Sequence, residues 1–247
     1  MKHHHKNKIG FTLAEVLITL GIIGVVAALT MPAIIANYQK AEALSKLKKV
    51  NSVIGQFLQQ AEKDYGCLSD WDMVDVINTF IKPYFNVVSD SSNRNKSTYL
   101  ASIGYSTYSS ENGGYPRVFR TMSGREFSGY DYIDVFFYTA DGILYGWGWH
   151  QSQMSGRRTM EILVDINGAK RPNIAGKDVF MFDIGGAYCQ TKVLPGHCGG
   201  SQSCNSSGFC KYTRRCSNTG EQCRNGGGGC ATKIVEDGWQ IKDDYPW

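Results

Sequence analysis

The stretch "KIGFTLAEVLITLGIIGVVAALTMP", residues 8–32, decides the fold because it is too long and too apolar to belong to a soluble core. It begins basic, turns apolar at Ile9 and carries one acidic residue, Glu15. No other acidic or basic side chain occurs from Phe11 to Ala36. As a helix, residues 11–36 would run about 39 Å at 1.5 Å per residue, enough to cross a hydrocarbon layer about 30 Å thick. Lys2, Lys6 and Lys8 precede the run and the next basic residue is Lys40. That bias places the N-terminus in the cytoplasm. A secretory signal has a shorter apolar core, about 7–15 residues. A plain anchor fits the length but leaves Glu15 unexplained, since a lone carboxylate in lipid is costly.

Gly10, Phe11, Glu15 and Pro32, together with "FTLAE" itself, resemble the N-terminus of type IV pilins and of type II secretion pseudopilins. In that family a short basic leader ends in Gly. A membrane peptidase cuts after the Gly and methylates the new N-terminal residue, usually Phe. A Glu follows four residues later, and a Pro often lies deeper in the helix. The resemblance covers about residues 1–65 and says little about the rest. It implies cleavage after Gly10, methylation of Phe11, and assembly through a helix bearing Glu15 and Pro32. The implied partners are the prepilin peptidase and methylase, like or related pilin subunits, an inner-membrane assembly platform and membrane lipid. It also implies a single-pass inner-membrane protein with an extracytoplasmic head, a structural subunit of a type IV pilus or type II secretion pseudopilus rather than an enzyme. The alternative is a minor tip pilin whose head binds DNA, a glycan or a surface.

Elementary electrostatics agrees. Cleavage after Gly10 would leave a charged amine on Phe11. An amine and a carboxylate about 4 Å apart attract by about 4 kcal/mol at an effective dielectric of 20. Each charge is expensive alone in lipid and tolerable when paired, so Glu15 of one subunit would neutralise Phe11 of its neighbour. Gly21 and Gly24 share a helix face and permit close helix approach. Pro32 lacks a donor and should kink or loosen the helix. "MKHHHKNK" reads as a leader.

Beyond the membrane the helix continues through residues 37–66, with Leu44, Leu47, Val50, Ile54, Phe57, Leu58 and Ala61 on one stripe and Gly66 as its stop. "SDWDMVDVINTFIKPYF" predicts a short second helix, capped at Ser69 or Asp70 and ended by Pro83, with Trp71, Val74, Ile77, Phe80 and Ile81 buried. Residues from about 98 to 184 read as strands, with a hairpin at Asp141-Gly142. The fold class is therefore α+β: a long N-terminal helix, membrane-spanning in its first half, packed on a small antiparallel sheet, with a disulfide-rich C-terminal region. The expected divisions are a leader 1–10, a transmembrane and assembly helix 11–36, its amphipathic continuation 37–66, a head 67–184 and a Cys/Gly-rich region 185–247. That last region is expected to be loop-rich, exposed and short of core residues, although Trp239, Tyr245 and Trp247 could fold back.

There are eight cysteines: Cys67, Cys189, Cys198, Cys204, Cys210, Cys216, Cys223 and Cys230. Close C-x-x-C pairs with His partners, the usual mark of zinc, are missing. The even count and Gly/Ser/Asn spacers favour disulfides and an oxidising compartment. The pairing stays open, with Cys67–Cys189 as one candidate. "DINGAKRPNIAGKD" offers Asp165, Asn167, Asn173 and Asp178 as calcium ligands; the competing reading is a turn-rich loop bonded to its own backbone. No cofactor is otherwise implied. His150 and His197 are the histidines outside the leader, and no catalytic constellation or phosphate loop accompanies them. The net charge is +4, and three of the 26 basic residues sit in the leader against 22 acidic ones overall. The remainder is nearly neutral, so its bulk charge carries no nucleic-acid footprint. Nucleic acid enters only through the alternative reading.

Overall fold

A computed structural model describes residues 12–66, 71, 75, 77–110, 116–151, 158–185, 192–195, 200–204, 210–214 and 219–247. The chain divides into two compact units, Met1–Glu42 and Ala43–Trp247.

Helix α1 spans Leu13–Tyr65, with Pro32 inside it. The helix is continuous through the proline, whose missing donor leaves the carbonyl of Ala28 without its usual amide. Thr19 and Thr30 turn their hydroxyls back onto the carbonyls of Val16 and Val26, as such residues do in an apolar setting where no water is at hand. Within the first unit the apolar side chains are exposed, Leu29 at 75% for example. One 18-residue window has a mean hydropathy of 2.3, and by length and composition the helix can cross a membrane. Gly66, at φ 78°, ends α1 with its amide on Glu62 O at 3.0 Å. A left-handed residue there is what glycine supplies without strain.

In the second unit, a six-stranded antiparallel sheet runs in sequence order. Its strands are β1 (Val87–Asp90), β2 (Val135–Thr139), β3 (Leu144–Gln151), β4 (Arg158–Asp165), β5 (Val179–Gly185) and β6 (Lys192–Pro195). The Asp141-Gly142 hairpin forms as read: Gly142 takes φ 83°, and its amide reaches Thr139 O at 3.0 Å. A separate two-stranded ribbon joins β7 (Gly200–Cys204) to β8 (Cys210–Arg214).

The sheet is buried on both faces, because strand side chains alternate sides. Phe137, Tyr145, Trp147, Ile162, Val164, Phe180 and Phe182 join the α1 stripe Ala43, Leu47, Val50, Ile54, Phe57, Leu58 and Ala61 in one core. Phe136, Leu144, Leu163 and Met181 point the other way, into a second core. That core is closed by α2 (Lys96–Ser102) and by Val118, Phe119, Phe127 and Tyr130. Two-sided burial explains why "VFFYT" and "VFMFD" are continuously apolar rather than alternating.

Three expectations need correction. The region 98–184 is not strands from its start: β1 and α2 come first, and Ser128–Tyr132 is a 3-10 turn. The predicted second helix is described only as the turn Ile77–Ile81, with Trp71, Ile77, Phe80 and Ile81 buried as expected; Ser69, Asp70 and Val74 lie outside the described residues. The C-terminal region is also not merely an exposed loop. Helical turns cover Thr219–Gly226, and α3 spans Cys230–Glu236. Cys223, Cys230, Ala231, Ile234 and Tyr245 enter the first core, with Trp239 and Trp247 packed against it. The Cys223–Cys230 disulfide and Ile234 supply the apolar volume that the surrounding glycines cannot.

Candidate functional site

The segment expected to be processed leads directly into the first turn of α1. Gly10 and Phe11 lie outside the described residues. Immediately after them, Thr12 and Glu15 form a reciprocal cap. The Thr12 amide and hydroxyl donate to Glu15 Oε2 at 2.8 and 2.9 Å, and the Glu15 amide donates to Thr12 Oγ1 at 3.2 Å. This is the capping box, in which a Thr before the helix and a Glu three residues on satisfy each other's orphan amides. The carboxylate also sits where the helix dipole favours negative charge. Glu15 thus has a role within its own chain that the sequence reading missed, although "TLAE" fits the T-x-x-E signature. The cap uses Oε2 and holds the carboxylate on the amide and hydroxyl of Thr12.

The four loop residues named as calcium ligands are brought together, in the turn between β4 and β5. Asp165 accepts the Tyr105 hydroxyl at 2.9 Å and the Asn167 amide at 3.1 Å. Asp178 accepts the amides of Asn173 and Ile174 at 2.8 and 2.7 Å and the Asn167 side chain at 3.2 Å. With its amide turned toward acceptors, Asn173 donates to Asp165 Oδ2 at 3.3 Å and to Lys170 O at 3.0 Å. Every carboxylate oxygen therefore already faces an N–H or O–H. A calcium cage needs six to eight oxygens, and this donor-rich set fits a hydrogen-bonded carboxylate pair instead. Among the described residues no group of three or more His, Cys, Asp or Glu could hold a metal.

Burial, reinforced by the charge of Asp178, holds the Asp165 carboxyl well above the usual carboxylate range. Burial also pushes Asp178 up to about 6, against the backbone amides that favour its charged form. Both groups keep protons in the folded state that the unfolded chain releases near pH 4. Their contribution to stability is therefore full below about pH 4 and is lost as pH rises above it, for Asp178 through about 6, by up to about 1.4 kcal/mol per proton per pH unit. Thermal melts between pH 4 and 7 should show this loss. Asp165→Asn, which keeps an acceptor for Asn167 and offers a donor to Tyr105 Oη, should flatten the profile; an unchanged slope would show that the pair does not govern it.

Of the cysteines, Cys223 and Cys230 are joined. Cys204 and Cys210 are Cα partners at the end of the ribbon. Cys67, Cys189, Cys198 and Cys216 lie outside the described residues, so the Cys67–Cys189 pairing and His197 do too. Gly176 explains how the joined pair seats. A Cβ there would meet Cys230 Sγ at 2.5 Å and Met122 Cε at 2.3 Å. Tyr245 Oη adds a hydrogen bond to Gly176 O at 2.7 Å.

An apolar helix capped by an acidic residue, followed by an α+β head, is what the resemblance to type IV pilins and pseudopilins implies. In agreement, residues 5–31 match the prokaryotic N-terminal methylation motif. Residues 33–247 match the model described as a family of unknown function (DUF6613), and the chain belongs to that family. Comparison with curated proteins and with solved structures finds no match.

Proposed function

We propose that the chain is made as a prepilin, cut after Gly10, methylated on Phe11 and assembled through its first helix into a pilus or secretion pseudopilus. In this reading residues 1–10 are the leader, 11–36 the membrane and assembly helix, and 37–66 its continuation into the head. The head and the Cys/Gly-rich region, 67–184 and 185–247, stand outside the inner membrane. The protein is then a structural subunit and the substrate of a peptidase and methylase, not an enzyme. Its further partners are related subunits, the assembly platform and membrane lipid. The methylation motif over residues 5–31 is the observation that carries the reading. The exposed apolar surface of Leu13–Glu42 supports it, since lipid or neighbouring helices would bury that surface.

Mass spectrometry of the mature protein tests the proposal. The N-terminal peptide should begin at Phe11 and carry one added methyl group. An intact leader, or cleavage near Ala28 after "VVAA", would refute it.

A further inference from the structure

Beside α1 the first core is not fully closed. A cleft of about 450 Å³ lies between Val53, the loop 84–86, the β2–β3 hairpin and Tyr145 of β3. Small-molecule sites run from about 300 to 1,000 Å³. The walls hold one another. Tyr145 stacks on Phe137 at 5.2 Å and meets Phe85 edge to face at 5.2 Å. The Ala140 amide donates to Asn86 O at 3.0 Å, joining the loop to the hairpin. Tyr84 adds its ring, while its hydroxyl is taken up by Asp64 at 2.6 Å.

Two groups in the cleft have capacity that the fold does not use. Tyr145 is 3% exposed, yet its hydroxyl has no hydrogen-bond partner among the described residues. Native proteins seldom bury a phenol that way. Burial, and then the charge of Asp141, holds this phenol above its ordinary value, so it stays neutral. The Asp141 carboxylate accepts the Lys49 ammonium at 2.8 Å and the Thr139 hydroxyl at 2.7 Å. Those bonds fill two of its about four lone-pair sites. Burial pushes the Asp141 carboxyl up, but the bonds from Lys49 and Thr139 outweigh it and hold the group below the usual carboxylate range. Asp141 is therefore charged at neutral pH, and among the described residues it is the one charged side chain lining the cleft. The Lys49 side chain, 56% exposed, reaches it from outside; such exposed pairs hold weakly.

We propose that this cleft binds a small organic amine in its ammonium form, with the nitrogen on Asp141 and the Tyr145 oxygen and an apolar body against Val53 and Phe85. An ammonium has three donors and no acceptor. The cleft answers with a carboxylate, a phenol oxygen and the side-chain oxygen of Asn86. The rings of Tyr84, Phe85 and Tyr145 also favour a cation. Calcium needs six to eight oxygens, more than this lining supplies, so the cation is organic. An anion would meet the charge of Asp141. Lys49 shows that the carboxylate already takes an ammonium, and it is the ligand's competitor. The inference goes beyond the assembly role and does not depend on it.

The test is titration of the full chain, in an uncharged detergent at pH 7, with phenethylamine, followed by ligand-observed NMR against empty micelles. Neutral 2-phenylethanol, which keeps the body and loses the charge, should bind about tenfold more weakly. Y145F removes a hydroxyl that bonds nothing in the fold. The melting temperature should therefore stay, while the Kd for phenethylamine rises about tenfold. The two partners of the ion pair should act in opposite directions. D141N should weaken binding by about tenfold or more, whereas K49Q, which removes the competitor, should tighten it about threefold. Absence of saturable phenethylamine binding would overturn the proposal, and so would equal binding of 2-phenylethanol. A Kd unchanged in Y145F, or weakened by K49Q as by D141N, would overturn it as well. Tighter binding of glycerophosphoethanolamine, the headgroup of an amine lipid, would overturn the assignment to an amine with an apolar body. The comparison of ligands on the unaltered protein needs no variant, so a folding defect in a substituted chain would leave the test intact.

Discussion

Replacing Glu15 by Gln is expected to leave the precursor cut after Gly10 and α1 still capped, yet to lower incorporation into filaments by about a hundredfold. The two roles of Glu15 separate at this substitution. A Gln at the third helical position still accepts the Thr12 amide through its side-chain oxygen, as Gln does in this motif. It cannot neutralise an amine. The attraction between that amine and a carboxylate is about 4 kcal/mol at an effective dielectric of 20, and part of it is offset by the desolvation of the pair. A remainder of about 3 kcal/mol corresponds to about a hundredfold in association. Glu15→Ala removes both the charge and the cap, adding about 1 kcal/mol of helix destabilisation. The measurement is the amount of subunit in sheared filaments, with mass spectrometry confirming the Phe11 terminus in each variant. If Glu15→Gln assembles like the parent while Glu15→Ala fails, the cap and not the charge is what assembly requires.

Truncating Phe57 should cost the head about 3–5 kcal/mol, the range for a large buried aromatic cut to Ala. The ring is where helix, loop and sheet meet. It lies 6.3 Å from Trp71, 5.4 Å from Tyr84, 5.3 Å from Phe85 and 5.3 Å from Trp147, mostly edge to face. Such arrangements add to area burial, and four large neighbours cannot all collapse into the vacancy. Near-UV circular dichroism melts should fall by about 10 °C for a unit of this size. Lys63→Ala, on the exposed side of the same helix, should move the melt by less than about 0.5 kcal/mol. A loss at Phe57 below 1 kcal/mol would mean that α1 does not depend on this cluster for its seat on the sheet.

Several elements were legible because one local signal sufficed. The α1 stripe repeats at three- and four-residue steps, Gly66 stops it, and Asp141-Gly142 turns the chain between two β-rich runs. The runs that became β4 and β5 are dense in β-branched and aromatic residues, so they read as strands whichever face they present. By contrast, β1 and α2 are short. "VVSD" has too few residues to show a period, and the start of α2 rests on Asn95, whose side chain accepts the Ser97 amide at 3.0 Å. An Asn before a polar run is as common in turns as at helix starts. The C-terminal helix was hidden by its glycines, which mask "ATKIVE", a pattern that buries Ala231 and Ile234 once the disulfide is in place.

The sequence by itself determined a helix long and apolar enough to cross a membrane, because a long run with one acid has few physical solutions, and the methylation motif overlaps its start. It also determined the α+β class. Only the tertiary structure decided what the isolated polar residues do. It turned the proposed calcium ligands into a buried, hydrogen-bonded carboxylate pair. Periodicity and spacing report on neighbours along the chain, whereas desolvation, hydrogen-bond satisfaction and the pairing of charges are settled by neighbours in space.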